Sequence, residues 1–152
     1  MAAKDPAAEL ALVTVWLLDT GPLVAYLDAD DAFHDLVSDA LDRFSGQLVT
    51  TSAVVTEAMH FVAEASQGPD VLVDFLEISG TRVAECCQPG ELKSAVKLMR
   101  KYADTPMDFA DASLILLGDR LRQHQICTLD RRGFSTYRTS TGKRFKLVLD
   151  ET

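Results

Sequence analysis

The chain has 152 residues, 47% apolar and 25% charged, with 8 Gly, 5 Pro and 3 Cys. This is the mixture of one globular domain and excludes collagen, coiled-coil, low-complexity and disulfide-scaffold classes. The formal charge of −8 argues at first against a phosphate binder, but it is unevenly spread: residues 1–42 hold nine acids against Lys4 alone, residues 43–130 twelve acids against eight bases, and residues 131–152 two acids against six bases.

The longest apolar run, residues 10–18 broken at Thr14, is too short to cross a bilayer as a helix. Asp5 and Glu9 before it do not suit a signal peptide, so a cytoplasmic protein without membrane contact is expected. Three thiols, Cys86, Cys87 and Cys127, cannot all pair within one chain. They read as small buried apolar groups in a reducing compartment.

Residues 13–18 form a continuous, β-branched-rich run ending in Asp19, the pattern of a strand buried on both faces of a parallel sheet. Thr20 caps a helix that opens at Gly21 and Pro22 and runs to 28. Between 31 and 44, Phe33, Leu36, Val37, Ala40, Leu41 and Phe44 recur at helical spacing, with Asp35, Asp39 and Asp42 opposite. Residues 47–50 read as a strand, and Ser52 caps a helix to 65 that carries Glu57 and His60. Pro69 opens a helix to 78, and residues 81–87 read as a strand.

A helix over 89–102 has Leu92, Val96 and Met99 as its inner stripe and exposes Lys93, Lys97, Arg100 and Lys101. Thr105 and Pro106 start a helix to 123, with Asp108 third in a capping box. A strand over 126–129 ends in Asp130, and a strand over 144–149 closes the chain. Strands alternating with helices predict an α/β fold of three layers, a mainly parallel central sheet flanked by helices. One domain covers 1–152, with 1–12 a loosely ordered extension.

In such sheets the binding crevice lies beyond the carboxyl ends of the strands. Asp19 and Asp130 end two strands there, and helices add Glu57, Asp108 and Asp111. Converging carboxylates repel one another, and some would protonate unless a cation joined them. All-oxygen donors without His or Cys select a hard ion, Mg²⁺ or Mn²⁺, rather than Zn²⁺. Such a centre suits phosphodiester hydrolysis by an activated water. Thr20 reads as a helix cap whose hydroxyl can also serve the site, and His34 and His60 read as packing residues. The basic tail, Arg131, Arg132, Arg138, Lys143, Arg144 and Lys146, is interleaved with Phe134, Tyr137 and Phe145. That mixture suits gripping phosphates and stacking bases.

The segments VWLLDTGPLVAYLD, TTSAVVTEAMHF, PMDFADASLILL and ICTLDRRGF together resemble the PIN-domain ribonucleases, and within them the small VapC-type toxins of toxin–antitoxin pairs. The resemblance covers nearly the whole chain. It implies a PIN-like fold, a Mg²⁺- or Mn²⁺-dependent endoribonuclease, a homodimer, an RNA substrate (tRNA, rRNA or mRNA) and a cognate antitoxin. It implies catalytic roles for Asp19, Glu57, Asp111 and Asp130, a metal pocket of Asp19, Asp111 and Asp130 with Asp108 as an additional acid, and Thr20 beside them. Arg131, Arg132, Lys143, Arg144 and Lys146 are the expected RNA contacts.

Three other readings compete. One is a PIN protein of RNA processing without toxicity, and another is a catalytically silent binding module. The third is an aspartic protease, whose active loop Asp19, Thr20 and Gly21 imitate. That loop belongs to an almost all-strand fold, which five legible amphipathic helices oppose.

Overall fold

A computed structural model describes residues 3–151 and resolves the apolar runs into five strands. In chain order the elements are α1 (Pro6–Leu10), β1 (Val15–Leu18), α2 (Thr20–Leu27), α3 (His34–Arg43), β2 (Gln47–Thr51), α4 (Ser52–Val62) and α5 (Gly68–Ile78). There follow β3 (Arg82–Ala84), α6 (Pro89–Lys101), α7 (Phe109–Leu121), β4 (Gln125–Cys127), α8 (Arg131–Thr136) and β5 (Lys146–Leu147), with a final 3-10 turn at Val148–Glu151. Neighbouring strand residues point to opposite faces of a sheet, and Leu17 and Leu18 are both wholly buried. Layers therefore cover the sheet on both sides, as three-layer packing requires.

The sheet is parallel throughout, in the order β3-β2-β1-β4-β5. The chain leaves β1 toward β2 and β3, then returns to lay β4 on the other side of β1. Here the strand order reverses, and the crevice at the carboxyl ends of β1 and β4 is where an α/β sheet receives a ligand. Asp19 follows β1, and its backbone N–H donates to the Cys127 carbonyl of β4 at 3.0 Å. The two strand ends are thus stitched together directly beneath the acids.

Several expected boundaries shift, each for a local reason. Part of the 1–12 extension is docked rather than loose. Asp5 caps α1 by accepting from the Ala7 N–H, Ala7 and Leu10 are buried, and Glu9 pairs with Arg82 at 3.0 Å. At the sheet edge, β3 keeps three residues of the expected 81–87, with Arg82 and Val83 exposed; short edge strands limit pairing with other chains. The closing strand is two residues long before the chain turns. Cys127 and Cys86 are buried as expected, whereas Cys87 is exposed.

On α6 the inner stripe is not Leu92 and Val96, which are 40% and 43% exposed; Ala95, fully buried, faces the core with Leu98 and Tyr102 beside it. A small residue at that position lets α6 lie close against α7. Glu91 in the first turn of α6 pairs with Arg120 in the last turn of α7 at 2.9 Å, so the two helices run antiparallel.

Candidate active site

Asp19 stands where a buried apolar strand gives way to a helix, and the residue is only 7% exposed. One carboxylate oxygen accepts from the Thr20 N–H at 2.8 Å and so caps α2; the other accepts from the Thr128 hydroxyl at 2.7 Å. The cap is thus Asp19 rather than Thr20, and α2 begins one residue earlier than the sequence implied. Thr128 in turn accepts from the Asp130 N–H at 3.0 Å. A single hydroxyl thereby ties the Asp19 carboxylate at the end of β1 to the Asp130 backbone beyond β4. Sequence reasoning passed over Thr128 because it sits inside an apolar run. Its one signal is a polar residue two places before Asp130, at a strand end where both faces are covered.

Asp130 is the N-cap of α8, accepting from the Gly133 N–H at 2.9 Å. Asp108 and Asp111 form a reciprocal capping box on α7: Asp108 accepts from the Asp111 N–H at 2.8 Å, and Asp111 accepts from the Asp108 N–H at 3.1 Å. The box starts at Asp108 and not at Thr105, so residues 105–107 stay outside the helix. There the Pro106 carbonyl accepts from the Tyr137 hydroxyl at 2.8 Å. Glu57 is half-buried on α4, whose cap Thr51 shares a 2.7 Å hydrogen bond with Ser113 on α7. That contact fixes the helix carrying Glu57 against the helix carrying Asp111.

The electrostatics bind these pieces into one site. Asp19 is pushed up to about 6, chiefly by burial; the hydrogen bonds from Thr128 and Thr20 oppose this, and the charges of Asp108 and Glu57 add to it. Asp111 is pushed up to about 8 by burial, then by Asp108 and Asp19. Burial and the charges of Asp111, Asp130, Asp108 and Asp19 together push the Tyr137 hydroxyl up as well. Four carboxylates therefore act on one buried phenol, and Glu57 joins them through its effect on Asp19.

Two observations bear on a cation in this pocket. Its donors are all oxygens, the hard set that suits Mg²⁺ or Mn²⁺. The Thr20 hydroxyl is buried with no hydrogen-bond partner among the described residues, a group that a bound water or phosphate oxygen would satisfy. Among the described residues no three of His, Cys, Asp and Glu are drawn tightly enough to ligate one ion together. The arrangement fits an ion held by one or two carboxylates with water in its other positions, the habit of Mg²⁺.

A family model described as the PIN domain matches residues 16–139, a span that contains every one of these acids. The chain belongs to the PIN-domain family. Ribonuclease VapC26 of Mycobacterium tuberculosis is 35% identical to it over 134 residues, 87% of this chain and 98% of the relative. Among solved structures, VapC20 of Mycobacterium tuberculosis, titled a sarcin-ricin-loop-cleaving toxin, aligns with a TM-score of 0.70. The alignment covers 78% of this chain and 92% of that one. At 14% identity that likeness is one of fold, and it agrees with the parallel α/β sheet found here.

The basic tail of this PIN domain is arranged differently from its expected role. Phe134 and Tyr137 are fully buried and Phe145 is 6% exposed. Phe134 packs edge-on against both, with ring centroids 5.2 and 5.6 Å away. They are core residues and present no face to a base.

Arg131 and Arg132 start α8 next to Asp130, but Arg131 pairs with Asp150 at 2.8 Å, and Lys146 pairs with Glu151 at 3.3 Å. Lys146 stands opposite Gln125 at the start of β4, and Lys143 and Arg144 precede it. These three therefore lie at the amino edge of the sheet, away from the acids. The structure gathers Asp19, Thr20, Glu57, Asp108, Asp111 and Asp130, and leaves Lys143, Arg144 and Lys146 outside that group.

Proposed function

We propose that the chain is a metal-dependent endoribonuclease that hydrolyses RNA phosphodiester bonds at the acidic pocket. The observation that carries this reading is the buried Asp19 carboxyl, held with Asp111 above the usual carboxylate range chiefly by burial and further by the charges of neighbouring carboxylates. A fold that keeps such a self-repelling cluster gains from it only when positive charge enters. The 35% identity to a curated ribonuclease supports the same chemistry. In the proposal one or two of Asp19, Asp111 and Asp130 would hold the cation directly and the remainder would act through its water, Asp108 adds charge at the rim, and Glu57 orients or deprotonates the attacking water. When bound, Mg²⁺ or Mn²⁺ supplies charge neutralisation, Lewis acidity toward a phosphate oxygen and a lower pKa for that water.

The chain's own residues do the positioning. Thr128 fixes the Asp19 carboxylate, Thr20 offers an unused hydroxyl to a phosphate oxygen or water, and the capping box holds Asp111 in place. We take the protein as the toxin of a toxin–antitoxin pair, a cytoplasmic homodimer held inactive by its antitoxin, as VapC likeness suggests. The intact set of acids speaks against a silent binding module.

The test is RNA cleavage by protein stripped of metal with a chelator and then given Mg²⁺ or Mn²⁺. Activity should return with the ion and be absent from Asp19→Asn. Equal cleavage by that variant, in preparations free of other nucleases, rejects the assignment.

A further inference from the structure

We propose that the solvent face of α6 carries the RNA backbone to the acidic pocket, with Lys93, Lys97, Arg100 and Lys101 as its phosphate contacts. The inference rests on the endoribonuclease reading above and replaces most of the basic tail as the RNA grip.

These four side chains are exposed, and none has an ion-pair partner among the described residues, whereas Arg43, Arg82, Arg120, Arg131 and Lys146 each do. At 3.6 residues per turn they fall within an arc of roughly 100° on the side opposite the buried Ala95. From Lys93 to Lys101 the helix rises ~12 Å, the length of roughly three to four stacked nucleotides. No acid interrupts the strip, since the one acid of α6, Glu91, is committed to Arg120.

The helix has no internal use for the charges of Lys93 and Lys97. Lys93 with Lys97, and Lys97 with Lys101, are like-charge pairs one turn apart, which weaken a helix. Arg100 and Lys101 complement the helix dipole in the last turn. Lys93 and Lys97 are more than a turn from that end, where the dipole no longer reaches them. A polyanion along the face removes the repulsion.

Direction follows from the packing. Because α6 and α7 run antiparallel, the Lys101 end of the strip meets the amino end of α7, where Asp108 and Asp111 sit. Tyr102 secures that corner: its hydroxyl accepts from the Arg138 N–H at 3.1 Å, and its ring lies under the Lys101 ammonium at 5.3 Å. In a chain of net charge −8, an unpaired basic strip ending at the pocket is where field lines draw in a phosphate backbone.

The test uses an Asp19→Asn background, so that RNA stays whole, and a fluorescein-labelled RNA hairpin whose binding is followed by anisotropy across a salt series. Replacing all four with Gln (K93Q, K97Q, R100Q, K101Q) should weaken binding at least tenfold at about 0.1 M salt. It should also flatten the slope of log affinity against log salt by ~2 to 3, from four contacts at ~0.7 each. A Lys→Arg version of the three lysines should keep the original slope, which separates lost charge from misfolding. The double variant K143Q, R144Q should leave the slope nearly unchanged.

An unaltered slope in the α6 variant, or its loss in the tail variant, overturns the proposal while RNA cleavage by the unmodified protein leaves the endoribonuclease reading standing. Unmodified protein that neither binds the hairpin nor cuts RNA with added Mn²⁺ overturns both.

Discussion

Asp19→Asn should make the metal-free protein more stable at alkaline pH while abolishing its activity, and the size of the gain follows from the site. The Asp19 carboxyl titrates at about 6 in the fold against an ordinary 3.8, so the folded chain holds this proton more tightly than the unfolded one. The contribution of Asp19 to stability is therefore fully present below pH ~4 and is lost as pH rises through about 6. The difference corresponds to roughly 3 kcal/mol. Asn keeps an oxygen for the Thr20 N–H but carries no charge, so the variant escapes the loss. Allowing for a poorer contact with Thr128, the expected gain is about 1 to 3 kcal/mol at pH 8, with near equality at pH 4. Urea unfolding in the presence of a chelator measures both values. Saturating Mg²⁺ should then stabilise the parent at pH 8 and not the variant. A variant that is less stable than its parent at pH 8, or offset equally at both pH values, would refute the reasoning that the buried charge is a standing cost.

Thr128→Val removes the donor to Asp19 and leaves the Asp130 N–H without its acceptor. The expected loss is about 2 kcal/mol in urea unfolding, with a fall in RNA cleavage that Thr128→Ser restores. Gly133→Ala places a methyl group on the Asp130 Oδ2 and against the buried Tyr137 ring, so RNA cleavage and the thermal unfolding temperature should both fall. Phe134→Ala should cost about 3 to 5 kcal/mol in chemical denaturation as a core truncation. If Phe134 instead served as a base platform, the variant would keep its stability and lose RNA affinity.

The central strands were legible because burial on both faces leaves an unbroken apolar run, as at Val15–Leu18, and because such runs end abruptly in an acid. Long helices with one polar face were legible for the corresponding reason. Elements of a turn or two, α1 and α8, are too short to show a period, and their caps, Asp5 and Asp130, were read for charge rather than for geometry. On α6, spacing alone did not reveal which of two adjacent stripes packs inward. Ala95 won because a small side chain permits close approach to α7. The acids could be chosen one by one for being charged in apolar surroundings. The Thr128 bridge joins residues 109 apart, and the pairs Arg131–Asp150 and Lys146–Glu151 depend on how the last turn folds back. No local pattern announces either arrangement.

Binding of Mn²⁺ to metal-free protein, followed by calorimetry or electron paramagnetic resonance, addresses the joint action of the separated acids most directly. The account predicts saturable binding that is lost or greatly weakened in both Asp19→Asn and Asp111→Asn, although the two residues come from different elements. Binding that survives unchanged in either variant, or no binding by the parent protein, would contradict it.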